Sequence, residues 1–160
     1  MAIYKTHLGV YGVCIREKKL LCINKNRGPY KNRYDLPGGS QKEFESLIDT
    51  LKREVAEETI FSITQYSNVR CYDSFVQCED TIVHHIFVLY NIDIKLEENN
   101  HLELADEKND SLGSSWIEIK SLNLDNSSPI ILKLLEEIEN KFSQTLLDVT
   151  SYKNWNVREQ

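Results

Sequence analysis

Three glutamates, Glu54, Glu57 and Glu58, fall within the eight residues "KREVAEET" that run from Lys52 to Thr59. On a helix surface, like charges three or four residues apart cost about 0.2–0.5 kcal/mol per pair, and no lysine lies among these three to offset the repulsion. Leu47, Ile48, Leu51 and Val55 recur at helical spacing and define an apolar sector of about 100°, with Glu58 projecting inside it and Glu54 and Glu57 at and just beyond its edge. A carboxylate turned toward a core is costly unless a cation meets it. The alternative is a solvated acidic helix end, which the helix macrodipole disfavours because its C-terminus is already negative.

A second group with chemical potential is "RGPYKNRYDLPGG", which sets Arg27, Lys31 and Arg33 among Tyr30 and Tyr34. Basic side chains of this kind hold phosphate and a tyrosine can stack on a nucleobase; an ordinary charged loop accounts for the composition equally well. His84 and His85 are adjacent and therefore point to opposite faces of a strand, which suits core or surface positions. Nothing has the ligand spacing of a zinc site.

The elements that must position these groups follow from the hydrophobic pattern. "LGVYGVCI", the charged "REKK" and "LLCINK" predict a hairpin of two strands. The glycine- and proline-bearing stretch up to Gly39 predicts a loop. The helix carrying the glutamates follows it. Two β-rich runs come next, "VRCYDSFVQ" and "TIVHHIFVLYNIDI", the second with Ile82, Ile86, Val88, Tyr90 and Ile92 on one parity. A polar loop, "EENNHLELADEKNDSLGS", leads to the short strand "SWIEI". Ser128 and Pro129 form an N-cap and first helical position for a last helix, with Ile131, Leu134, Leu135, Ile138 and Phe142 on one face. The order predicts an α+β sandwich with a mixed β-sheet. A single domain over 1–146 and a C-terminal tail over 147–160 are expected.

Composition narrows the functional classes. With 19 basic and 25 acidic residues in 160, the formal charge of −6 disfavours long-range steering toward nucleic acid or an anionic membrane surface. Cys14, Cys22, Cys71 and Cys78 form no C-x-x-C pair and read as free thiols, mostly small core residues. The first residues do not resemble a signal peptide and no apolar run approaches the roughly 18 residues of a membrane span, so a cytoplasmic location is expected.

From Gly39 the chain has five residues, Glu45, seven residues, then Arg53, Glu54, Val55, one residue, Glu57, Glu58, one residue, Ile60 and Phe61. This resembles the signature of the Nudix hydrolases, including the MutT-like members, G-x5-E-x7-R-E-U-x-E-E-x-G-U, where U is bulky and apolar. Six of the seven fixed letters match, and so do both apolar positions. At ordinary residue frequencies such a match arises by chance on the order of once in ten million registers. Ile60 departs from the pattern by standing where glycine would form a left-handed helix cap; either the helix ends differently or the backbone is strained there. Phe44 replaces another glycine common, though not obligatory, before Glu45.

The resemblance implies the family's α/β/α sandwich and a Mg²⁺- or Mn²⁺-dependent pyrophosphohydrolase, in which water attacks phosphorus in a nucleoside diphosphate linked to another group. It implies Glu54, Glu57 and Glu58 as metal ligands, the Gly38 and Gly39 carbonyls as further ligands, and Arg53 as the holder of a glutamate carboxylate. Glu45 would support the loop or site. A base or extra ligand would come from Glu103, Asp106, Glu107 or Asp110, with Glu107 and Asp110 favoured by their nearness to the strand. Arg27, Arg33 and Tyr34 are the candidates for holding substrate. No proline lies among the twenty residues after Phe61, and features that mark ADP-ribose, NADH or coenzyme A enzymes do not stand out, which favours a nucleoside triphosphate or modified nucleotide. No nucleic-acid or membrane partner is expected, and related proteins are often homodimers. The alternative is a non-catalytic Nudix-fold module that senses nucleotide, which Ile60 alone favours.

Overall fold

A computed structural model describes residues 1–97, 111–140 and 144–159. The main sheet is mixed, in the order β5-β1-β7-β6-β9. Its strands are β1 (Ile3–Val13), β5 (Gly38–Ser40), β6 (Phe61–Cys78), β7 (Thr81–Leu96) and β9 (Thr150–Tyr152). β1 runs parallel to β7, while β5 and β6 run antiparallel to their neighbours β1 and β7. A smaller antiparallel sheet centres on β3 (Lys19–Lys25), which pairs with β2 (Ile15–Arg16), β4 (Tyr34–Asp35) and β8 (Ser111–Glu118). The expected hairpin closes at Glu17 and Lys18, both at positive φ, the backbone of a two-residue turn compatible with strand twist.

Helices α1 (Leu47–Glu58) and α2 (Pro129–Glu139) cover separate cores. Leu51 and Val55 of α1 pack with Val10, Leu21, Val88 and Ile92, whereas Ile130, Ile131 and Leu134 of α2 pack with Tyr11, Leu20, Phe87 and Leu89. Successive residues of β7 therefore enter opposite cores, and this is why its sequence reads as a nearly continuous apolar run. The result is the expected α/β/α sandwich.

Ser46 caps α1 by accepting from the Asp49 N–H, and the Asp49 carboxylate accepts in turn from the Ser46 N–H. Ser128 caps α2 with Pro129 in the first turn. Among the described residues no helix is long and apolar enough to cross a membrane. Of the cysteines, Cys14 and Cys22 are buried, while Cys71 is exposed on β6.

The segment expected as a C-terminal tail carries the short strand β9. Thr150–Tyr152 pair with Ser74–Val76 of β6, and Trp155 is buried with its Nε1–H donating to the Pro29 carbonyl at 2.8 Å. The segment is short and polar enough to read as loose, but one tryptophan with a waiting acceptor is sufficient to anchor it.

Candidate active site

α1 packs against β5, and its Glu54 and Glu58 face the two glycines of that strand. Gly38 has φ 151°, and a Cβ there would lie 2.2 Å from the Val10 carbonyl oxygen, so only glycine fits. Its N–H donates to Glu58 Oε1 at 2.8 Å, which uses one oxygen of the buried Glu58 to fasten the strand to the helix. A Cβ on Gly39 would lie 2.8 Å from the Glu54 carboxylate, so the missing side chain leaves that group open toward the strand.

Arg53 organises the rest. Its Nε and Nη2 donate to the two oxygens of Glu45 at 2.7 and 2.8 Å, and Nη2 also donates to the Ser40 carbonyl at 2.9 Å. Nη1 donates to Glu54 Oε1 at 2.8 Å and to Glu57 Oε2 at 3.2 Å. The hydrogen bonds from Arg53 are the main reason the Glu45 carboxyl is held down to about 2, with help from the Lys42 N–H. The same pairing pushes the Arg53 guanidinium up. Arg53 thus offsets the repulsion between Glu54 and Glu57 that the sequence left unexplained, and Glu57 stays half-exposed while doing so.

The end of α1 resolves the Ile60 question. Thr59, not a left-handed residue, closes the helix in an extended conformation. Its hydroxyl donates to the Val55 carbonyl at 2.6 Å and accepts from the Phe61 N–H at 3.0 Å. Ile60 is not among the residues at positive φ. Phe44 is, at φ 63°, and its side chain is fully exposed.

Among the described residues, no three or more His, Cys, Asp or Glu side chains are grouped to hold a metal ion. The donor chemistry nevertheless fits a hard divalent cation of the Mg²⁺ type, which takes one or two carboxylates and keeps several waters. Glu54 and Glu57 supply carboxylates at one helix end, drawn here onto one guanidinium nitrogen, and the bare Gly39 backbone adjoins Glu54.

The other expected site residues separate. Arg33 is buried and does not face the box: Nη1 donates to the Leu124 and Ser127 carbonyls and Nη2 to the Asn156 carbonyl. Three backbone acceptors and the Trp155 ring, 4.2 Å away, surround the guanidinium that was expected to hold substrate. Tyr34 packs against the α2 core, and Arg27 is exposed. Glu103, Asp106, Glu107 and Asp110 lie outside the described residues.

One constellation escaped the sequence reading. His85 is buried, with Nδ1 2.9 Å from the Tyr30 hydroxyl and Nε2 3.1 Å from that of Tyr11. Its ring lies 4.8 Å from that of His7, which in turn approaches the Ser40 hydroxyl next to Gly39. The only signal available was the "HH" dipeptide in β7; the partners come from β1 and from the loop before β4.

Comparison with known proteins gives this geometry its family. The NUDIX domain model matches residues 5–138, and the chain belongs to that family, the Nudix hydrolases. Over 67 residues it is 33% identical to an 8-oxo-dGTP diphosphatase of Buchnera aphidicola subsp. Schizaphis graminum, an alignment that spans 41% of this chain and about half, 52%, of that relative. The fold is shared with a MutT NUDIX hydrolase from Burkholderia pseudomallei, at TM-score 0.60 and 16% identity, covering 84% of this chain and 98% of that one. It is also shared with a MutT protein from Methanosarcina mazei Go1, at TM-score 0.59 and 18% identity, covering 88% and 98%.

Proposed function

We propose that this protein is a Mg²⁺-dependent pyrophosphohydrolase, with Mn²⁺ as a substitute, that cleaves a diphosphate linkage in a nucleoside triphosphate or modified nucleotide. The observation that carries this reading is the Arg53 guanidinium holding Glu54 and Glu57 together beside the bare Gly39, within the family's box. The curated relative, an 8-oxo-dGTP diphosphatase, supports a modified nucleotide as the substrate class.

Glu54, Glu57 and Glu58 and the Gly39 carbonyl would hold the cation, which supplies polarisation of the phosphoryl oxygens and a lower pKa for the attacking water. Arg53 keeps the carboxylates of Glu54 and Glu57 oriented, and Glu45 keeps Arg53 oriented. A loop acid, Glu107 or Asp110, accepts the proton of water as its oxygen bonds to phosphorus and the bridging P–O bond breaks. Arg27 and Tyr34 remain candidates for contacting substrate. We place the enzyme in the cytoplasm, as a single domain whose main sheet takes in β9, with a homodimer as its assembly.

Phosphate and pyrophosphate release from a panel of nucleoside triphosphates, oxidised nucleotides, nucleotide sugars and dinucleotides tests this, run with Mg²⁺ and with chelator. Metal-dependent release that falls at least about 100-fold in Glu57→Gln is expected. Nucleotide binding without release from any member of the panel would instead make the protein a sensor.

A further inference from the structure

Arg33 raises a separate question. Its guanidinium is buried, yet all three of its described hydrogen bonds go to neutral carbonyls and it forms no ion pair among the described residues. Its Nε is buried without a hydrogen-bond partner among them. Asp125 lines the same cleft but forms no ion pair with Arg33, and a buried cation left without a direct ion pair is costly unless an anion approaches. Burial, and then the neighbouring charge of Arg158, push the Arg33 pKa down, with Asp125 acting the other way.

A cleft of about 500 Å³ lies against this group, walled by Arg33, Asp125, Tyr152, Lys153, Trp155 and Arg158 together with adjacent residues. It gathers three cations and one carboxylate in a chain whose formal charge is −6. Neither Lys153 nor Arg158 forms a side-chain ion pair among the described residues. The wall made by residues 151–158 lies beyond the family match, which ends at residue 138. β9 and β5 occupy opposite edges of the main sheet, so the cleft belongs to a different part of the molecule from the glutamate box.

We propose that this cleft is a second anion site that takes the phosphate group of a small molecule, with Lys153 and Arg158 contacting it and the Arg33 charge behind them. The half-buried Tyr152 lines the same cleft and would contact the base if the phosphate belongs to a nucleotide. Because residues 151–158 form most of the wall, ligand and C-terminal segment stabilise each other's binding.

The test titrates the full chain, in the presence of chelator, with inorganic phosphate, adenosine and AMP, following amide and indole resonances. Saturable shifts at Lys153–Arg158 with phosphate and AMP, and none with adenosine, are expected. Affinity should fall at least about fivefold in Lys153→Gln and in Arg158→Gln and stay unchanged in Glu57→Gln. AMP binding more tightly than phosphate assigns the site to nucleotides, and equal affinity assigns it to phosphate itself. No saturable shift in this segment, or shifts that survive both substitutions, would overturn the proposal whatever the result at the box.

Discussion

Arg53 grips Glu45 through two parallel N–H···O bonds of 2.7 and 2.8 Å, joining the middle of α1 to the loop that precedes it. The fork leaves Nη1 free to turn toward Glu54 and Glu57. Lysine has no such fork. Arg53→Lys and Glu45→Gln are therefore expected to lower metal affinity or turnover about 10–100-fold. Circular dichroism should show the fold retained, and activity equal to the parent would rule out the orienting role.

Gly39→Ala places a methyl group against the Glu54 carboxylate. The carboxylate must rotate away, and turnover should fall at least about tenfold. Thermal unfolding should move little, because the displaced atoms are the far end of a side chain. Unchanged kinetics would mean that Glu54 does not need its present orientation.

Phe44 and Ile60 predict opposite outcomes for the same substitution. Phe44 sits exposed at φ 63°, where a side chain costs about 1–2 kcal/mol, so Phe44→Gly should stabilise by about 0.5–1 kcal/mol after the added unfolded-state entropy of glycine. Ile60 is not left-handed and the Thr59 hydroxyl already caps the helix, so Ile60→Gly should destabilise by about 0.5–1 kcal/mol. Urea denaturation of the two variants decides; stabilisation by Ile60→Gly would contradict the Thr59 cap.

His85 predicts a pH dependence of stability. Burial, and then the positive charges of His7, Lys25 and His84, hold its pKa down to about 3. The unfolded chain takes up this proton near pH 6.5, so below that value the unfolded state binds more protons than the folded one. Stability is fully present above pH 6.5 and is lost as pH falls toward 3. At pH 5 the loss is about 2 kcal/mol. Denaturation at pH 7.5 and 5.0 should show it, and His85→Gln should flatten the difference; an imidazole resonance titrating near 6.5 would exclude the effect.

Trp155→Ala should detach the C-terminal segment. The ring packs on Tyr30, Tyr152 and the Arg33 guanidinium and gives its N–H to Pro29. Loss of a buried tryptophan costs about 3–5 kcal/mol, and amide exchange at residues 150–158 should accelerate with it.

Much of the site was legible in the chain because it is local. Gly39, Glu45 and Arg53–Glu58 lie within 20 residues, and helical periodicity alone brings Glu54, Glu57 and Glu58 to one end of α1. The sandwich was legible too, because the order of strands and helices is mixed and α1 and α2 each carry one apolar face; only the two cores showed that β7 is buried on both parities.

Other features depended on partners far along the chain. Arg33 looked like a phosphate ligand because a basic residue among glycines and tyrosines is read by composition; its acceptors on Leu124, Ser127 and Asn156 lie 91 to 123 residues away. Trp155 looked like part of a tail because its acceptor at Pro29 is 126 residues distant. The end of α1 was undecided because a helix can close with a left-handed glycine or with a side-chain hydroxyl, and backbone geometry selected Thr59. The sequence by itself determined which residues share a helix turn or strand face, since chain stereochemistry sets those periods. Only the tertiary structure decided which buried charges meet carboxylates and which meet carbonyls, because those distances depend on how separate elements pack.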